Sequence, residues 1–147
     1  MSVGEVVQAL DAYLRDPAAP SVGQGVWLET YPPDRALDAR RPLTWLTYSL
    51  VPGGGDRALA TGLRWLDVSF DVLAHGTPDV GAGVLLGLAH ELENYLDNWL
   101  PPLPAAWNSL LAFTQTQELS QEDWSGDRLT GLAHGARWRF QAGMEPG

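Results

Sequence analysis

The chain contains no cysteine, no lysine and no isoleucine, and no apolar run comes near the length of a membrane span. Without cysteine there are no disulfides, no thiolate zinc sites and no cysteine nucleophile. The absence accords with a reducing compartment. A spanning helix needs about 20 apolar residues in a row, so no membrane partner is expected. The opening Met1-Ser2-Val3-Gly4-Glu5 lacks the basic start and apolar middle of a secretory signal. The expectation is a soluble protein made in the cytosol.

Positive charge is also scarce. The nine basic residues are all Arg and face 18 acidic ones, for a net charge of −9. Gripping a phosphate backbone needs a basic surface, so tight binding of DNA or RNA is not expected. An acidic surface past which nucleic acid slides is compatible with this balance. The missing Lys and Ile, beside many Ala, Gly, Pro, Leu and Trp, indicate a GC-rich coding bias more than a mechanism.

What is present fits one globular domain. At 147 residues the chain can bury a core without staples. Its 45% hydrophobic content is ordinary for a folded protein. Ser2-Val3-Gly4-Glu5 has the form of a capping box, and Val3, Val6, Val7, Leu10 and Leu14 follow at helical spacing until Pro17 and Pro20. Strands are expected at Gly25–Tyr31 and at Leu43–Val51, the second apolar on both faces. Pro52–Gly62, with Gly53-Gly54-Gly55, is expected to be a mobile loop, since it lacks the ending of a phosphate-binding loop and the spacing of a dinucleotide fingerprint.

The clearest unit is Arg64–Trp99. Leu66, Val68, Phe70 and Val72 alternate with Trp65, Asp67, Ser69 and Asp71, which predicts a strand with one core face and one wet or partner-facing side. His75-Gly76 should break it, and Thr77-Pro78-Asp79 should start a helix with Thr77 as N-cap. Val80, Val84, Leu88, Leu92, Tyr95, Leu96 and Trp99 form the expected apolar stripe, with Gly81, Gly83 and Gly87 suited to close packing on a sheet. Strands follow at Leu110–Leu119 and Leu129–Ala142, separated by a polar turn Gln121–Asp127, and Gly143–Gly147 is expected to be a loose tail. The order α-β-β-β-α-β-β gives an α+β class with a mostly antiparallel sheet packed by two helices.

Few groups promise catalysis. His90-Glu91 begins like a zinc-protease helix, but position 94 is Asn, so the second ligand is missing. His75 and His134 each stand beside a Gly near an expected strand end, where a surface His is unremarkable. Asp67 and Asp71 lie about 13 Å apart along a strand, too far for a glycosidase pair. Ser109, Ser120 and Ser125 lack a nucleophile elbow. No catalytic residue, metal ligand or cofactor is assigned, and a non-enzyme is expected. Seven Trp crowd one small core, so some should lie at interfaces, Trp65 and Trp124 first among them.

The order of elements resembles that of the tail-terminator (tail-completion, head–tail joining) proteins of long-tailed bacteriophages. Three segments carry the likeness: the opening helix Val3–Arg15 before strand Val26–Tyr31; Arg64-Trp-Leu-Asp-Val-Ser-Phe-Asp-Val-Leu-Ala74 running through Thr77-Pro-Asp79 into a long helix; and the closing strand Arg128–Phe140 after a polar turn. The Pro-rich link Trp99–Trp107 departs from the shorter connection of that family. The resemblance implies a virion protein of the tail or neck. Its members form a homohexameric ring that caps the tail tube, stops its polymerisation and docks the head connector, with DNA passing through. A ring of one chain needs heterologous contacts that close, and an acidic lumen would repel phosphates. Subunit or ring contacts are expected at Arg40, Arg41, Gly53, Gly54, Gly55, Asp56, Arg57, Trp65, Asp67, Asp71 and Trp124. Removal of the Gly53–Asp56 tip is expected to spare folding and impair assembly. The alternative from another class is a small bacterial α+β module that binds a ligand or protein.

Overall fold

The structure is a computed structural model and describes residues 3–20, 26–28, 44–58, 64–77, 80–97, 99 and 109–144. In chain order the elements are helix α1 (Val3–Leu14), strands β1 (Val26–Leu28), β2 (Thr44–Ala58) and β3 (Arg64–Gly76), helix α2 (Ala82–Leu96), and strands β4 (Ser109–Ser125) and β5 (Arg128–Met144). This is the α+β layout that the sequence pattern gives. The five strands form one sheet in the order β1-β2-β3-β5-β4. β1 runs parallel to β2, and the other neighbours are antiparallel. β4 therefore runs with β3, and the returning strand β5 fills the gap between them. The connection through α2 carries the chain over the sheet to its far edge.

Alternation on β3 sets the two faces. Leu66, Val68, Phe70, Val72 and Ala74 join Leu46 and Tyr48 of β2 and Ala136, Trp138, Phe140 and Ala142 of β5 in the core. The helices cover this inner face with Val6, Leu10 and Leu14 from α1 and Leu85, Ala89, Leu92 and Leu96 from α2. Each set recurs every three or four residues, the spacing that keeps a helix face in register with a flat layer.

The two helices are tied at their C-terminal ends. The Tyr13 hydroxyl donates to the Tyr95 carbonyl at 2.5 Å, and the Tyr95 hydroxyl donates to the Tyr13 carbonyl at 2.7 Å. Their rings stack at 4.1 Å, with Trp99 stacked on Tyr13 at 5.1 Å. Each tyrosine thus satisfies a last-turn carbonyl of the other helix, which has no partner inside its own. The Tyr48 hydroxyl donates to Asp11, which also pairs with Arg15, so α1 is anchored to β2 as well.

Several expectations need correction. Pro52–Ala58 is part of β2, not a loop: Gly55, Asp56 and Arg57 pair with Asp67, Leu66 and Trp65, and a bulge between Val51 and Gly55 absorbs the extra residues. A long partner strand imposes this pairing on glycines that have little strand preference of their own. β3 continues through His75-Gly76, with Gly76 paired to Thr44 and Leu132. β4 extends to Ser125, so the turn shrinks to Gly126-Asp127, with Gly126 at φ 61. β5 reaches Met144, which pairs with Arg64, so Gly143 and Met144 are strand and not tail.

The helix after β3 begins at Ala82 with Gly81, not Thr77, at its N-cap. Its buried side is Leu85, Ala89, Leu92 and Leu96, while Val84 is 64% exposed. Among the described residues, nothing lies within 4 Å of where a Cβ would stand on Gly81, Gly83 or Gly87. The expected Ser2 cap lies outside the described residues.

Candidate functional site: the polar sheet face and its open edge

The outer face of the sheet carries the residues alternate to the core. Two acids spaced four apart on β3 meet two arginines spaced two apart on β5. Arg137 reaches Asp71 through Nε at 2.7 Å and Nη2 at 3.1 Å. Arg139 reaches Asp67 through Nε at 2.9 Å and Nη2 at 2.6 Å. Asp71 and Arg137 are direct cross-strand partners, whereas Asp67 is paired with Gln141, so the second bridge is diagonal. Both arginines bind in the two-pronged geometry that guanidinium and carboxylate planes favour. The carboxylates hold both guanidinium groups more firmly protonated than usual, chiefly through these hydrogen bonds. The result is a rigid, half-exposed patch in which the four charges cancel.

Toward the other end this face becomes dry. Trp45, Leu73, His75 and Ala133 are buried. The His75 ring stacks on Trp45 at 5.2 Å, and its Nε2 shares a 2.6 Å hydrogen bond with Thr47 Oγ1. His75 is therefore a packed strand residue at 1% exposure, not the surface His that its neighbouring glycine implies. His134 is likewise within β5 and half-buried. Among the described residues, no three His, Asp or Glu converge as a metal set.

Beyond β5, β4 is the last of the described strands. Thr114, Gln115, Thr116, Gln117 and Glu118 are all exposed, as are Ser120, Gln121, Glu122 and Trp124. Trp124 is 56% exposed, and its indole N–H donates to Glu122 at 3.0 Å. It ends a strand and does not occupy a turn. On the inner side, Glu118 stands close enough to Glu93 of α2 to disfavour its ionisation. The Glu93 pKa is raised by partial burial first and by Glu118 second, with His90 opposing.

Of the residues expected at contacts, Asp67 and Asp71 come together on the outer face, held by arginines that the sequence pattern did not assign to them. Gly53 and Gly54 fall in the bulge of β2, and Gly55, Asp56 and Arg57 pair with β3. Trp65 sits on β3 in register with Arg57 and Gly143. Trp124 stands apart at the far end of β4. Arg40 and Arg41 lie outside the described residues. β4 is the strand expected at Leu110–Leu119, extended to Ser125; its exposed polar side and its glutamates were not among the expected contacts, although the polar run Thr114–Glu118 signals them.

No protein-family model matches this chain, and no curated protein shows significant similarity to it. No helix among the described residues is long and apolar enough to cross a membrane.

Proposed function

We propose that this protein is a tail terminator of a long-tailed bacteriophage, a virion structural protein without catalytic activity. It forms a closed homo-oligomeric ring of about six copies, caps the tail tube, ends its polymerisation and joins it to the head connector. The observation that carries the reading is the order of elements, a helix, three strands, a helix and two strands folded on one sheet, which is the layout on which the resemblance rests. Two further features support it. The bidentate pairs Asp71–Arg137 and Asp67–Arg139 stiffen a half-exposed patch of the sheet in which these four charges cancel, a suitable ground for protein contact. The net charge of −9 suits a ring that lets DNA through without holding it.

Deleting the gene from the phage that carries it tests this role. The expected outcome is separate heads and tails, with tail tubes of uncontrolled length. Normal virions from the deletion would overturn it. The alternative, a small module that binds a ligand or protein in a bacterial cell, predicts no effect on virions.

A further inference from the structure

β4 is paired to β5 along one side only, and it lies at the edge of the sheet with no described strand on its other side. A 17-residue edge strand with no described strand beside it is the template for adding another strand. Natural edges are blunted against self-pairing by bulges and charge. β4 has both: register shifts near Ala112, Thr116 and Trp124, and the exposed acids Glu118 and Glu122.

The sign of that charge is selective. Between Arg64 and Arg128 the sequence has no Arg or Lys and ten Asp or Glu. Asp67 and Asp71 are met by arginines of β5. Among the described residues, no arginine is paired with Glu93 or Glu118. A second copy of β4 would bring the same acids against them and be repelled, whereas a basic strand would be attracted.

The flank of α2 completes the surface. Tyr95 faces α1, as its stacking on Tyr13 fixes, and α1 is anchored over β2, so Glu93, on the opposite flank of the helix from Tyr95, lies toward the β4 side of the sheet. Leu86, His90 and Glu93 follow at i, i+4 and i+7, so they share the β4-facing flank. Leu86 is 51% exposed there. A strand added to β4 would place one set of alternate side chains next to Glu118, Ser120 and Glu122, which share the helix-bearing face of the sheet.

We propose that the open side of β4, with the flank of α2 beside it, binds an extended segment of a partner protein whose side chains alternate basic and apolar. The partner adds as a sixth strand. Its backbone bonds to β4, its basic groups meet Glu93, Glu118 and Glu122, and an apolar side chain covers Leu86. This goes beyond the tail-terminator reading and does not depend on it, since any assembly protein with this edge would bind in the same way.

Hydrogen–deuterium exchange on the full chain tests it. The probe is a synthetic nine-residue peptide alternating Arg with Val or Thr, and the control carries Glu for Arg. The Arg peptide is expected to slow exchange of the β4 amides at least tenfold, while the Glu peptide has no effect. The double substitution E118K/E122K, at exposed positions, should weaken binding of the Arg peptide at least tenfold and admit the Glu peptide. Binding that leaves β4 exchange unchanged would overturn strand addition, as would no binding at all. Protection of β4 that grows with protein concentration without peptide would mean that a second copy takes the edge, which also overturns the proposal. A monomeric protein that still binds the Arg peptide would sink the ring and leave this inference standing.

Discussion

At Gly135 the paired strand β3 lies too close to β5 for a side chain. A Cβ at this position would run into the Val72 carbonyl oxygen and come within 2.9 Å of the Leu73 Cα, both backbone atoms with no freedom to yield. Gly135→Ala is therefore expected to cost about 3 kcal/mol, the upper part of the range for overpacking a tight site. Urea denaturation would measure it, and a loss below about 1 kcal/mol would show that the strands can part. The reciprocal tyrosines make a milder case. Tyr95→Phe removes a hydroxyl donating to the Tyr13 carbonyl and keeps the ring stack, for a loss of about 1 kcal/mol. Glu93 gives a pH-dependent test. Partial burial and Glu118 raise its folded-state pKa above the unfolded value, so its ionisation opposes folding. Stability is lost as pH rises from the unfolded value through the folded one, and is regained as the group takes up a proton. Glu93→Gln should unfold at a higher temperature than the parent at pH 7, and at the same temperature below about pH 4.

At the scale of elements, the phase of α2 is the sharpest issue. Leu85 is 2% exposed and its neighbour Leu86 is 51% exposed. Leu85→Ala is expected to cost about 2–5 kcal/mol and Leu86→Ala less than about 1 kcal/mol, and thermal melts of the two variants would separate them. The apolar pattern of this helix is readable from either residue, because Val84, Leu85, Leu86 and Leu88 give a stripe too broad to fix a face. Which side turns inward is decided by contacts with β3 and β5, remote in sequence. β3 shows the opposite case. Its strict alternation has one solution, and both the core set and the polar set of Asp67, Ser69 and Asp71 were legible. Their arginine partners were not, because Asp71 meets Arg137 only once the sheet order puts β5 beside β3. β2 shows how local preference loses. Gly53-Gly54-Gly55 has the composition of a loop, yet the segment stays in the sheet because β3 continues beside it. Deleting Gly53–Asp56 would remove most of the bulge and two paired residues, so it is expected to destabilise the fold instead of trimming a tip.

At the scale of the whole molecule, the described strands give the sheet unlike edges: a three-residue parallel strand at one side and a 17-residue polar strand at the other. With the long edge taken by a partner strand, the heterologous contacts that close a ring fall on other surfaces of the chain. The exposed Trp124 at the end of β4 has the character of an interface anchor. Trp124→Ala is expected to leave the melting temperature within about 2 °C of the parent and to shift the assembled species toward monomer. The most direct test of the ring is native mass spectrometry of the purified protein across a hundredfold range of concentration. One dominant species of about six copies, unchanged in stoichiometry over that range, is the expected result. A monomer throughout, or an open ladder of sizes that lengthens with concentration, would contradict it.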